Sequence, residues 1–167
     1  MVRPIPRNNE ITFNDHEIIV SKTDKKGKIT YGNEIFIRMS GYEEEELLNQ
    51  PHNILRHPDM PRAIFKLLWD TVQSKEEINA YVKNLSKDGS YYWVLANVTP
   101  SFDQNDNIIG YFSVRRKPSK EAISFISDLY ATLLQIEKNR GMEASIEYLN
   151  NLLKEKGVSY EEFILTV

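Results

Sequence analysis

The chain has 167 residues, 41% hydrophobic and 27% charged, with a formal net charge of −3 and no cysteine. That length suits one domain with an appendage and a sizeable core. The absence of a basic field argues against a nucleic-acid partner, and the lack of cysteine excludes disulfides, cysteine-ligated zinc and cysteinyl covalent chemistry. No run approaches the ~20 apolar residues of a membrane span, and the opening MVRPIPRNNE lacks the apolar core of a signal peptide. The expectation is a cytoplasmic protein that meets a membrane only through a partner.

Residues 1–15 are polar and carry Pro4 and Pro6, which predicts an arm or cap with little regular structure. The β-branched run from Glu17 to Lys22 and the short Ile29–Tyr31 segment, joined through Gly27, read as a hairpin. Ile35, Phe36 and Met39 then fall at helical spacing, with Gly41 suited to the position just past a helix end. Ser40 and Glu43 stand in capping-box register before a second short helix, EEEELL.

The stretch Gln50 to Pro61, QPHNILRHPDMP, is the most unusual part of the chain. Its three prolines fix their own φ and push the preceding residues toward extended geometry, so His52, Arg56, His57 and Asp59 should be held on a shaped turn. One reading is a plain connection in which Asp59 caps the next helix and Arg56 pairs at the surface. The other is a pocket rim, with Arg56 and His57 facing anionic or polar ligand groups beside a helix N-terminus.

Arg62 to Gln73 places Ile64, Leu68 and Val72 on one stripe with Phe65 and Trp69 beside it, which predicts the longest helix of the core domain. Three strand-like segments follow, Ile78 to Leu85, Tyr91 to Pro100 and Ile108 to Arg116, with Asp88-Gly89 as a hairpin turn. Adjacent Tyr92 and Trp93 must face opposite sides of the sheet. From Pro118 the pattern is helical to the end, broken at Gly141 and Gly157, with Ser159 and Glu162 as a further capping box. These helices should cover the sheet and also carry a dimer or partner interface. The whole is an α+β chain: arm 1–15, core 16–118, helical extension 119–167.

The order of elements, with ITYGNEIFIRMSGYEEEELLNQPHNILRHPDMP, NLSKDGSYYWVLANVTP and GYFSVRR, resembles a PAS sensory domain over about residues 15–118. More narrowly, PHNILRHPDMP with Trp69, and Lys83-Asn84 before the DG turn, is similar to the FAD-binding PAS domains of bacterial aerotaxis receptors and to the small PAS proteins of energy-taxis systems. The resemblance implies a five-stranded antiparallel sheet with short helices on one face and FAD held noncovalently between them. It implies Asn33 as a polar contact, Arg56, His57 and Asp59 at the cofactor entrance, and Trp69 and Asn84 lining the pocket. It further implies a sensor rather than an enzyme; with no receptor-type transmembrane, HAMP-like, kinase or methyl-accepting segment in the sequence, the expectation is signalling in trans to a membrane-associated chemotaxis-type transducer, with a homodimer possible through the flanking helices. Ile78 departs from the family pattern, which has a flavin-packing tryptophan there. Other readings are a haem-binding PAS gas sensor with His52 or His57 as axial ligand, and a cofactor-free PAS docking module. Without cysteine, a light-driven flavin–thiol adduct is chemically excluded.

Overall fold

In the computed structural model, which describes residues 2–167, five antiparallel strands form one sheet in the order β2-β1-β5-β4-β3. They are β1 (Ile19–Asp24), β2 (Ile29–Gly32), β3 (Ile78–Leu85), β4 (Tyr91–Phe102) and β5 (Ile108–Arg116). Between β2 and β3 lie α1 (Glu34–Ser40), α2 (Glu44–Leu47), a 3-10 turn (His52–Leu55) and α3 (Arg62–Gln73). After β5 come α4 (Lys120–Arg140), α5 (Met142–Lys156) and α6 (Tyr160–Thr166). This is the expected α+β architecture.

Strand alternation assigns the two faces. The pairings Ser21↔Ser113, Thr23↔Tyr111, Ala96↔Arg115 and Asn84↔Tyr92 put these residues on the face covered by α1, α2 and α3. Near β1 and β4 that face is dry, with Ile19, Phe36, Leu47, Leu55, Tyr92 and Val94 in one buried cluster. The opposite face carries Tyr81 and Trp93, which join Ile126, Leu129, Tyr130 and Leu133 of α4 and Phe163 of α6 in a second cluster. The extension therefore covers the sheet, and Tyr130 anchors it by donating its hydroxyl to the Tyr81 carbonyl at 2.6 Å.

The arm has little regular structure of its own, as expected, and is laid along the β3–β4 hairpin by bonds from the Arg7 N–H to the Gly89 carbonyl, the Ile11 N–H to the Tyr91 carbonyl and the Tyr91 N–H to the Asn9 carbonyl. Two local features differ from expectation. The capping box of α2 is formed by Glu43 and Glu46, not Ser40 and Glu43. Ser40 instead donates to the Ile37 carbonyl at 2.7 Å and accepts from the Tyr42 N–H at 3.1 Å, so its hydroxyl is spent closing α1. Asp59 does not cap α3. That role falls to Glu137 of α4, whose two oxygens accept from the Arg62 and Ala63 N–H groups.

Candidate functional site

A cavity of about 330 Å³ lies between the helix-covered face of the sheet and α3. Its walls are largely apolar: Phe65, Leu68, Trp69 and Val72 from α3, Val82, Ala96 and Val98 from the sheet, and Met142 from the start of α5. Trp69 meets Tyr111 edge-on at 5.2 Å between ring centroids, giving the cavity an aromatic wall. Ile78 is buried in one cluster with Leu68, Val72 and Tyr111.

The floor is polar, and its chemistry centres on Arg115. This side chain is only 5% exposed, yet its contacts are neutral: Nη2 donates to Ser21 Oγ at 2.5 Å and to His52 Nε2 at 2.7 Å. Its charge also lies 5.4 Å over the Phe36 ring. Burial draws its pKa down to about 10, so it remains a cation at neutral pH. His52, desolvated and facing that cation, is pushed down to about 3. It is therefore neutral, and because Nε2 accepts from Arg115, the ring proton is assigned to Nδ1. Arg115 Nη1, Ser113 Oγ and Thr23 Oγ1 are buried without a partner, and all three residues line the cavity. Native interiors rarely leave such groups unpaired.

Asn53, Arg56 and Arg62 line both this cavity and a broad outer groove of about 870 Å³. The groove carries Arg3, Arg56, Arg62, Lys83 and Lys138 against two carboxylates, Asp59 and Glu137, and so favours anions. Arg56 stacks over Phe65 at 3.9 Å and accepts at its carbonyl from Arg3. Lys83 pairs with Asp59 at 2.9 Å, and the Asp59 N–H donates to His57 Nδ1 at 3.0 Å. Burial, with help from Lys83, lowers the His57 pKa, which Asp59 only partly offsets.

The residues singled out by sequence thus fall in three places. Arg56, Trp69 and Asn84 line the inner cavity, and Arg56, His57 and Asp59 line the outer groove. Asn33 caps α1: its Oδ1 accepts from Phe36 and Val20 N–H groups and its Nδ2 donates to the Ile18 carbonyl. It is absent from both linings. Arg115, Ser113, Ser21 and Thr23 escaped the sequence reading, although their spacing of two along β5 and β1 would have put each pair on one face. Glu137 lines the groove and Met142 the cavity, both from the extension, and the sequence singled out neither as a site residue.

An antiparallel sheet with short helices enclosing a cavity on one face, and further helices packed on the other, is the architecture of a sensory domain. The PAS fold family matches residues 29–115, and the chain belongs to it. Over 119 residues it is 41% identical to the aerotaxis receptor of Escherichia coli strain K12, covering 71% of this chain and 23% of the relative. Over 99 residues it is 30% identical to the nitrogen fixation regulatory protein of Klebsiella pneumoniae, covering 59% and 20%. The chain thus spans about a quarter or less of these relatives. Among solved structures, the light-state LOV domain of the blue-light photoreceptor Aureochrome1 aligns with a TM-score of 0.56 and 26% identity, over 72% of this chain and 91% of that one. These relatives are sensory and regulatory proteins. Among the described residues no helix is long and apolar enough to cross a membrane, and no cluster of His, Cys, Asp and Glu could hold a metal ion.

Proposed function

We propose that the chain is a redox or energy sensor of the aerotaxis type that holds FAD noncovalently and passes its redox state to a separate transducer. The observation that carries this reading is Arg115, a buried cation in the polar floor of a cavity with largely apolar walls, whose Nη1 is unpartnered, as are the hydroxyls of Ser113 and Thr23 in the same lining. Burying charge and polar atoms unpaired is costly, and a planar ring with acceptor atoms along one edge would satisfy all three groups. A cavity of about 330 Å³ is at the small end of ligand sites. It has room for a flavin ring, while a ribityl diphosphate would leave past Arg56 into the cationic groove.

A bound flavin supplies reversible electron transfer coupled to proton uptake. Arg115 favours whichever redox form places more negative charge at the ring edge. Asn84, with both donor and acceptor on its amide, suits the same edge, and Trp69 with Tyr111 excludes water from the ring faces. His57 and Asp59 shape the entrance, His57 staying neutral and Asp59 holding Lys83 in the groove. Arg115 and Ser113 lie on β5 and Ser21 and Thr23 on β1, so a change in their hydrogen bonds acts on the sheet whose other face carries α4 and α6. A signal follows if this favours one of two packings of the extension.

The recipient we propose is a membrane-associated chemotaxis-type transducer, met in trans on the cytoplasmic side. Phe125, Tyr148 and Leu165 are large exposed side chains on the extension that such a partner, or a second copy of the chain, would cover. The test is the visible spectrum of gently purified protein before and after anaerobic reduction. A two-band flavin spectrum that bleaches on reduction and is lost in Asn84→Ala and Arg56→Ala supports the reading. A Soret band, or a colourless folded protein that takes up no added FAD, would overturn it.

A further inference from the structure

The N-terminus of α3 stands where cavity and groove meet, since Arg62 lines both. Its leading N–H groups are already taken. Glu137, in the last turn of α4, reaches across so that Oε1 accepts from the Arg62 N–H at 2.8 Å and Oε2 from the Ala63 N–H at 3.0 Å. Ser145 of α5 donates its hydroxyl to the same Oε2 at 2.7 Å. One buried carboxylate therefore occupies the spot where free N–H groups and the helix dipole favour an anion, and it ties α3, α4 and α5 together.

The α4–α5 corner is built to respond as a unit. Gly141 alone joins the two helices, at φ 90° and ψ 174°, and a Cβ there would touch nothing within 4 Å. On one side of this corner Met142 lines the inner cavity, and on the other Glu137 and Lys138 line the groove. A ligand at this mouth is indicated by more than a helix end, because the adjoining cavity holds the buried, unpartnered Arg115 Nη1.

We infer that Glu137 is a latch through which the C-terminal helices read occupancy of the site: its carboxylate holds the anion position on α3 for which a phosphate of a bound dinucleotide competes. This rests on the reading that a flavin dinucleotide occupies the cavity and groove. Replacing one anion by another keeps the first N–H groups of α3 satisfied, and Ser145 retains its bond to the Met142 carbonyl at 2.8 Å. What is lost is the tie between α3 and the α4–α5 corner. A ligand shifts such an equilibrium only by its differential affinity for the two arrangements. A flavin that carries no phosphate therefore leaves the latch closed.

The test is hydrogen exchange across residues 134–149 in wild type and Glu137→Gln, with inorganic pyrophosphate, riboflavin and FAD as probes. In wild type, pyrophosphate and FAD should each speed exchange at the corner several-fold, and riboflavin should not. Glu137→Gln should exchange fast without ligand, ignore pyrophosphate and bind FAD several-fold more tightly with riboflavin affinity unchanged. If that variant fails to fold, Ser145→Ala, which removes one donor to the carboxylate, should show intermediate exchange and FAD affinity. Corner exchange that is indifferent to pyrophosphate and FAD, or an affinity gain shared equally by riboflavin, overturns the latch. If neither flavin binds, the flavin reading fails, and the pyrophosphate response alone decides the latch.

Discussion

On the flavin reading, Arg115 serves ligand binding at the expense of the fold. A buried guanidinium with only neutral partners contributes little to folding, and exchanging buried charge for an apolar side chain of similar volume is often neutral or stabilising. Arg115→Leu is therefore expected to keep or raise the midpoint of urea unfolding of the apoprotein while weakening flavin binding by at least about tenfold, roughly 1.4 kcal/mol. A loss of both together would mean that the guanidinium is structural. The residue was illegible in the sequence for a physical reason. GYFSVRR announces a strand and its alternation, but which face meets a cavity depends on how far α3 stands from the sheet, and no local spacing encodes that distance. Trp69 and Asn84 were placed at a pocket only by a resemblance, whereas the proline-rich turn by itself singled out Arg56.

At the scale of elements, period and punctuation served well where packing merely ratified them. Arg62–Gln73, Ile78–Leu85 and Ile108–Arg116 run as their patterns predict. They were silent where a distant partner decided the outcome, as with the arm, whose backbone bonds go to Gly89 and Tyr91 of the β3–β4 hairpin. Gly89 makes that docking feasible: its φ is 91°, and a Cβ would sit well inside contact distance of the Ile5 carbonyl oxygen. Gly89→Ala should thus combine about 1–2 kcal/mol of backbone strain with displacement of the arm. Faster proteolysis within residues 2–12 and loss of the Arg3 contact to the groove are the expected readout. An arm as protected as in wild type would show that the hairpin absorbs the methyl group.

Across the whole molecule, stability should follow the protonation of two imidazoles, the half-buried His52 and the buried His57. His52 is held down to about 3 by burial and the Arg115 charge, against an ordinary value of 6.5. His57 is lowered in the same sense, by burial first and Lys83 second. For each, the unfolded chain takes up a proton at a pH where the native chain does not, so stability rises with pH through this range and is lost on acidification. Carboxylates whose pKa values are depressed in the fold, such as Asp24, Glu46 and Asp103, act in the same direction but only at lower pH, near their ordinary values of 3.8 to 4.5. Between about pH 7 and pH 5 the histidines therefore dominate, and His52 alone should cost about 2 kcal/mol over that interval. Urea unfolding at the two ends of the window measures the loss, and His52→Gln, which can still accept from Arg115, should remove most of it. A stability unchanged from pH 7 to pH 5 would mean that His52 can be protonated in place. Arg115 would then have to tolerate a second cation at 2.7 Å in a floor that offers it no carboxylate.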